Sequence, residues 1–163
     1  MIKAAFFDID GTLLSFKTHR IPASAQQVLD SFHEQGIACV IATGRPTYQM
    51  PDWLFNLGWD AYITLSGQHC FDAEGVYRSC PIDPGDVAVI VGQVAQGRYD
   101  SLCMQGENSF VNRLSERVVT AGSNAGIVYH EEPFDHAFDA PVYQFCAFVD
   151  PADEHIVTDA VSH

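Results

Sequence analysis

Cationic side chains are scarce in this chain. Lysine and arginine together number 8 against 21 aspartates and glutamates, a formal net charge of −13 over 163 residues. The few that are present form no stripe or cluster. That argues against nucleic acid and anionic membrane surfaces as partners, since both need concentrated positive charge. No apolar run reaches the length that spans a bilayer. There is no CxxC pair and no HxH or HxxxH spacing, so a zinc site has little support from spacing. The five cysteines (Cys39, Cys70, Cys80, Cys103 and Cys146) are odd in number and widely spread. Reduced thiols in strands or core are the simplest reading, and Cys70 with Cys80, flanking a hairpin, is the one pair placed for a disulfide. Lys3 falls inside the first apolar stretch, which is not the layout of a secretory leader, and a cytoplasmic location is the expectation. Repeats and low-complexity tracts are also missing.

What is present begins at once. Ile2 to Phe7 is an apolar run that ends in Asp8-Ile9-Asp10-Gly11-Thr12-Leu13-Leu14. A buried parallel strand delivers acidic side chains to the C-terminal edge of a sheet in this way, and ligands bind at that edge in open α/β folds. Asp8 and Asp10 lie two apart, so an extended backbone turns both to one side. Gly11 permits close approach or a positive φ. Ser24 is placed to cap a helix to about Gln35, with Ala25, Val28, Leu29 and Phe32 at helical spacing and Gly36 as its terminator. Ile37 to Ala42 is a second strand, ending in Thr43-Gly44-Arg45. Pro46 suits the first turn of another helix, to about Leu57. Ala61 to Leu65 is a third strand. Strands joined by helices argue for parallel pairing with right-handed crossovers.

The pattern then changes. Gln68–Phe71 and Val76–Ser79 read as a hairpin around Asp72-Ala73-Glu74-Gly75. A helix follows over Asp86–Gln96, then a second hairpin over Leu102–Gln105 and Ser109–Asn112. Leu114–Ala121 looks helical, 122–141 carries no clear period, and Tyr143–Val149 is a strand before a helix that starts at Pro151. A boundary near Ile82–Pro84 divides an α/β part, residues 1–82, from an α+β part, residues 83–163.

The Asp8–Leu14 segment resembles the first motif of the haloacid dehalogenase-like (HAD) phosphohydrolases. Thr43-Gly44-Arg45 resembles the second. Leu65-Ser66-Gly67-Gln68 with the following hairpin is similar to the approach to the cap in the Cof-type branch, which dephosphorylates sugar phosphates and related metabolites, although Asn-Gly-Ala is the commoner wording there. The resemblance implies a Rossmann-like core, partial here, with an α+β cap. It implies a Mg2+-dependent phosphatase for small phosphorylated metabolites: Asp8 as nucleophile, forming an aspartyl-phosphate, and Asp10 as general acid and base. Mg2+ would be held by Asp8 and the backbone carbonyl of Asp10. Thr43 and the Gly44 N–H, placed where a helix begins, would hold phosphoryl oxygens, and Arg45 would reach the substrate or pin the loop.

Other conspicuous residues read more simply. His19 and Arg20 are solvated loop residues before they are substrate contacts. Trp53, Phe55 and Trp59 are core or interface before they are a stacking platform, and Glu131, Glu132, Asp135, His136 and Asp139 form an acidic loop before a cation site. The family also uses a lysine and a Gly-Asp-x-x-x-Asp motif that follow the cap. This chain has only Lys3 and Lys17 and no such motif after the cap segment. It therefore reads as the N-terminal part of a longer chain, with an open edge on the first strand that is available for self-association. A non-catalytic module that binds phosphometabolites or a partner chain is the competing class, and a phosphotransferase or mutase shares Asp8. The 163 residues assayed alone should turn over p-nitrophenyl phosphate only weakly. A rate matching that of a complete family member, with no partner chain present, would overturn this.

Overall fold

The computed structural model describes residues 2–14 and 21–158; Lys17, His19 and Arg20 lie outside them. The opening apolar run becomes strand β1 (Ala4–Phe7). Helix α1 (Ala23–Glu34) follows, then β2 (Ala38–Ala42), a 3-10 turn at Thr47–Gln49, the short helix α2 (Asp52–Phe55), and β3 (Ala61–Thr64). A hairpin of β4 (His69–Asp72) and β5 (Gly75–Ser79) completes a five-stranded sheet in the order β1-β2-β3-β4-β5. β1, β2 and β3 pair in parallel and the hairpin joins antiparallel. The α/β expectation therefore holds. β1 is an edge strand of the sheet among the described residues, and Phe6 is 64% exposed while Phe7 turns inward.

The core of this first unit, Met1–Cys80, is built on Phe7's side of the sheet. Leu29 from α1, Cys39 and Ile41 from β2, and Leu54 and Trp59 around α2 pack with Ile9 and Leu13. The Phe7 ring meets Phe32 at 6.2 Å and Trp59 at 5.4 Å. Trp59 donates its Nε1–H to the Leu54 carbonyl at 2.9 Å, which satisfies the one polar atom it buries.

Two local expectations need correction. Ser24 does not cap α1. Pro22 occupies the cap position without a side-chain bond, and its carbonyl already accepts the Ala25 N–H at 2.9 Å, so the helix starts ahead of Ser24. The helix expected from Pro46 to Leu57 is broken in two. Pro51 has no N–H to give and forces Met50 into an extended conformation with ψ 136°. The reading of the cysteines as reduced thiols holds: all five are free, Cys70 and Cys80 included. Cys70 pairs with Arg78 across the hairpin, while the Cys80 N–H bonds to Gln68, so the register holds the two cysteines apart.

The second unit, Pro81–His163, is a three-stranded antiparallel sheet in the order β7-β6-β8, made of β6 (Asp100–Gln105), β7 (Ser109–Val111) and β8 (Val142–Phe148). Helix α3 (Pro84–Ala95) is capped by Asp83, which accepts the Gly85 N–H at 2.7 Å. Helix α4 (Glu116–Ala125) starts behind Ser115, not at Leu114, and ends at Gly126 with φ 69°. The segment without clear period is held by tertiary bonds. Its Glu131 bridges to Val111 and accepts the Leu114 N–H at 2.9 Å, and a 3-10 turn at Phe134–Phe138 packs on Phe110. No helix among the described residues is long and apolar enough to cross a membrane.

Gly122 tests this packing. Helix propensity alone favours alanine there by about 1 kcal/mol. A Cβ at Gly122 would sit 2.6 Å from the Ile127 carbonyl oxygen and 3.1 Å from the Tyr129 ring. Gly122→Ala should therefore destabilise by about 1–3 kcal/mol in urea unfolding. An unchanged or raised midpoint would show that the 126–129 segment is free to move off α4.

Candidate active site

Burial explains how two carboxylates come to stand side by side. Ile9, between them, is fully buried and Leu13 is nearly so. With Ile9 pinned in the core, Asp8 and Asp10 are both turned to solvent. The loop closes through Leu14 N–H to the Ile9 carbonyl at 2.7 Å and Gly11 N–H to the Leu14 carbonyl at 2.9 Å, with Gly11 at φ 79°. That φ is one that only glycine adopts without cost.

Three segments meet at the C-terminal ends of the parallel strands. Phe7 is in register with Ile41, which sets Asp8 beside Ala42, one strand spacing away (about 4.8 Å) and one residue before Thr43. Thr43 is buried, and its hydroxyl oxygen accepts the Arg45 N–H at 3.1 Å. Its own N–H continues the ladder to Ile63 at 2.9 Å. The third segment follows β3, where Leu65 (φ 51°), Ser66 (φ 55°) and Gly67 (φ 93°) run consecutively through left-handed space. Two consecutive non-glycine residues in that region are strained, and such strain collects at functional sites. It is held by Ser66 N–H to the Thr43 carbonyl at 3.1 Å and Leu65 N–H to the Arg45 carbonyl at 3.2 Å. The Ser66 hydroxyl oxygen lies 3.4 Å from where a Gly44 Cβ would be. Ser66 thus belongs with the site residues; the sequence signal for it was the resemblance of Leu65-Ser66-Gly67-Gln68 to the approach to the cap, which assigned it no role.

Arg45 takes a definite position. Its Nε and Nη2 donate to the two carboxylate oxygens of Asp10 at 2.8 and 2.7 Å, and its Nη1 donates to the Gln49 carbonyl at 3.0 Å. This two-pronged geometry is the strong form of the pairing. It leaves both Asp10 oxygens acting as acceptors. The Asp8 carboxylate has no hydrogen bond or ion pair from the described residues, and neither the Gly44 N–H nor the Asp10 carbonyl has a backbone partner among them. Asp8, Asp10, Thr43, Gly44 and Arg45 are thus brought to one sheet edge. The anion cradle differs from expectation in one respect: no α-helix begins at Gly44, because Pro51 limits the following segment to a 3-10 turn, so any attraction for an anion there comes from individual N–H groups.

Elsewhere, Glu131 and Glu132 of the 131–139 loop are engaged. Glu132 accepts from His136 and lies 3.0 Å from His130, and the hydrogen bond from His136 holds its carboxyl below the usual range while raising His136 in turn. The second unit also has an open groove of about 830 Å3. Two arginines of its lining are paired, Arg113 with Asp100 at 2.8 Å and Arg117 with Asp150 at 2.6 Å.

The family model described as haloacid dehalogenase-like hydrolase matches residues 5–163. An HMP-PP phosphatase of Enterobacter is 38% identical over 93 residues, 56% of this chain and 34% of its own. Among solved structures, a HAD subclass IIB sugar phosphatase superposes with a TM-score of 0.81 at 32% identity, over 98% of this chain and 63% of that one. A HAD-superfamily phosphatase from Bacteroides thetaiotaomicron does so with a TM-score of 0.86 at 28% identity, over 99% and 61%. The chain spans about a third of the length of the curated relatives it matches.

The side chains of Arg45 and Asp10 are 26% and 40% exposed, so solvent screens their attraction. Arg45→Ala should lower stability by about 1 kcal/mol or less, whereas Ile9→Ala, which opens a cavity, should cost about 2–5 kcal/mol. Urea unfolding of the two variants checks the order. A larger loss from Arg45→Ala would mean that the ion pair, and not the buried isoleucine, holds the loop.

Proposed function

The chain belongs to the haloacid dehalogenase-like hydrolases, and from that premise we propose that it carries the nucleophile and phosphate cradle of a phosphomonoester hydrolase for small phosphorylated metabolites, sugar phosphates among them. The observation that carries this reading is the exposed Asp8 carboxylate at the strand end, without a partner among the described residues, with the Gly44 N–H on the neighbouring strand's loop likewise unpaired among them.

Each residue then has a task. An Asp8 oxygen attacks phosphorus in line with the leaving alcohol. The Asp8 O–P bond forms as the ester P–O bond breaks, and Asp10 gives its proton to the departing oxygen. In the second half Asp10 takes a proton from a water whose oxygen attacks the same phosphorus, which frees inorganic phosphate and restores Asp8. The Thr43 hydroxyl and the Gly44 N–H hold the non-reacting phosphoryl oxygens, and they act where negative charge grows. Arg45 positions Asp10. Because both Asp10 oxygens are held as acceptors, one must leave the guanidinium before Asp10 hands over a proton.

The donors also suit a hard divalent ion. The Asp8 carboxylate and the Asp10 carbonyl are oxygen ligands without competing partners among the described residues. Mg2+ held there would offset the repulsion between Asp8 and a phosphate group in a chain of net charge −13. The Asp10 carboxylate is not part of that donor set while Arg45 grips it.

The test is a mimic of the phosphorylated state. Beryllium fluoride with Mg2+ should give a stable adduct on Asp8, seen by 19F NMR, that chelation or Asp8→Asn abolishes. Binding of a sugar phosphate that survives both Asp8→Asn and chelation would favour a non-catalytic module instead.

A further inference from the structure

At the opposite end of β2 from Thr43 lies a second group of metal-ligating side chains. His33 comes from the last turn of α1, Cys39 is the second residue of β2, and Asp60 immediately precedes β3. One ligand atom from each lies within 4.8 Å of the other two. Cys39 and Thr43 are four residues apart on or beside one strand, roughly 13 Å, so this group is separate from the Asp8 edge.

We propose that His33, Cys39 and Asp60 form a binding site for a thiolate-accepting divalent cation of the zinc type, tying α1 to the starts of β2 and β3. The His33 Nε2 to Asp60 Oδ2 distance is 3.5 Å. That is long for a charge-assisted hydrogen bond. It matches the edge of a tetrahedron around zinc, about 3.3–3.6 Å for nitrogen, oxygen and sulfur ligands at their usual bond lengths. The remaining approach is at most about 1.5 Å by the same geometry. The His33 side chain is 34% exposed and has room to turn toward Asp60.

The scaffold around these atoms is rigid. Asp60 accepts the Cys39 N–H at 2.7 Å, and the Cys39 carbonyl accepts the Asp60 N–H at 2.9 Å. This reciprocal pair fixes the Asp60 carboxylate against the Cys39 backbone, as outer-shell bonds do at metal centres, while the thiol faces the Ile37 carbonyl at 3.8 Å. The cation would also sit at the C-terminal end of α1, where the helix dipole favours positive charge. In the metal-free protein, burial and then the Asp60 charge push the Cys39 thiol up. A bound cation reverses that balance and takes the thiolate directly. Three protein ligands leave one position for water. An ion that prefers oxygen, such as magnesium, has no reason to choose a thiolate over the Asp8 edge, so the two sites sort cations by chemistry.

Cobalt reports the thiolate. One equivalent of Co2+ added to the reduced, chelator-stripped protein should produce sulfur-to-cobalt charge-transfer absorption in the near ultraviolet, which zinc displaces. His33→Gln, Asp60→Asn and Cys39→Ser should each weaken binding about tenfold or more, a loss at least as large as that from outer-shell changes. Asp8→Asn should leave the band in place. If Cys39→Ser fails to fold, the surface variant His33→Gln decides. Absence of the band in the parent protein, or its survival in His33→Gln or Cys39→Ser, would overturn the assignment.

Discussion

The burial of one isoleucine between two aspartates organises the first unit. Ile9 is drawn into the core beside Leu29, Ile41 and Trp59, and its neighbours on either side are turned outward with it. The gain from burying such a side chain, about 1.5–3 kcal/mol, exceeds the order of 1 kcal/mol that a partly exposed ion pair supplies. The apolar contact therefore sets where the carboxylates stand, and the Arg45 fork refines how one of them points. A polar residue at position 9 would leave the same chemistry without the means to aim it.

The other two segments are tied to each other by backbone bonds, and to that loop by the Arg45 side chain. The Thr43–Arg45 loop accepts N–H groups from Ser66 and Leu65, so the strained turn after β3 and the cradle after β2 hold each other. Strain at Leu65 and Ser66 persists because Leu65 is anchored in the core at 1% exposure. The result is a rim in which backbone donors and a carboxylate with no partner among the described residues stand ready for the phosphate of the proposed reaction. That is the condition under which electrostatic stabilisation costs no reorganisation during reaction.

The Arg45–Asp10 pairing has a mechanistic consequence. In the proposed hydrolysis Asp10 first gives and then accepts a proton, and it is held here with both oxygens as acceptors. The arrangement suits the second half of a two-step hydrolysis, in which Asp10 receives a proton from water. The first half needs a different Asp10 rotamer, or an Arg45 that has moved. The same guanidinium also holds the Gln49 carbonyl, so its release would loosen the turn beyond the cradle.

Much of this was legible in the chain itself. The strand–carboxylate–glycine order of residues 4–14, the strand before Thr43, both hairpins and the α/β class follow from periodicity and turn chemistry, which are local. The misread elements share one cause. Ser24 as a cap and a long helix after Pro46 each extended a local preference past a neighbour that vetoed it: the Pro22 carbonyl and Pro51. What only the tertiary structure decided is which distant residues meet. Arg45 reaches an acid 35 residues away, Ser66 comes to rest against Gly44, and His33, Cys39 and Asp60 converge without any spacing that announces them. Those meetings are set by the sheet order and by how α1 and α2 pack on it, and packing is not written in any one segment.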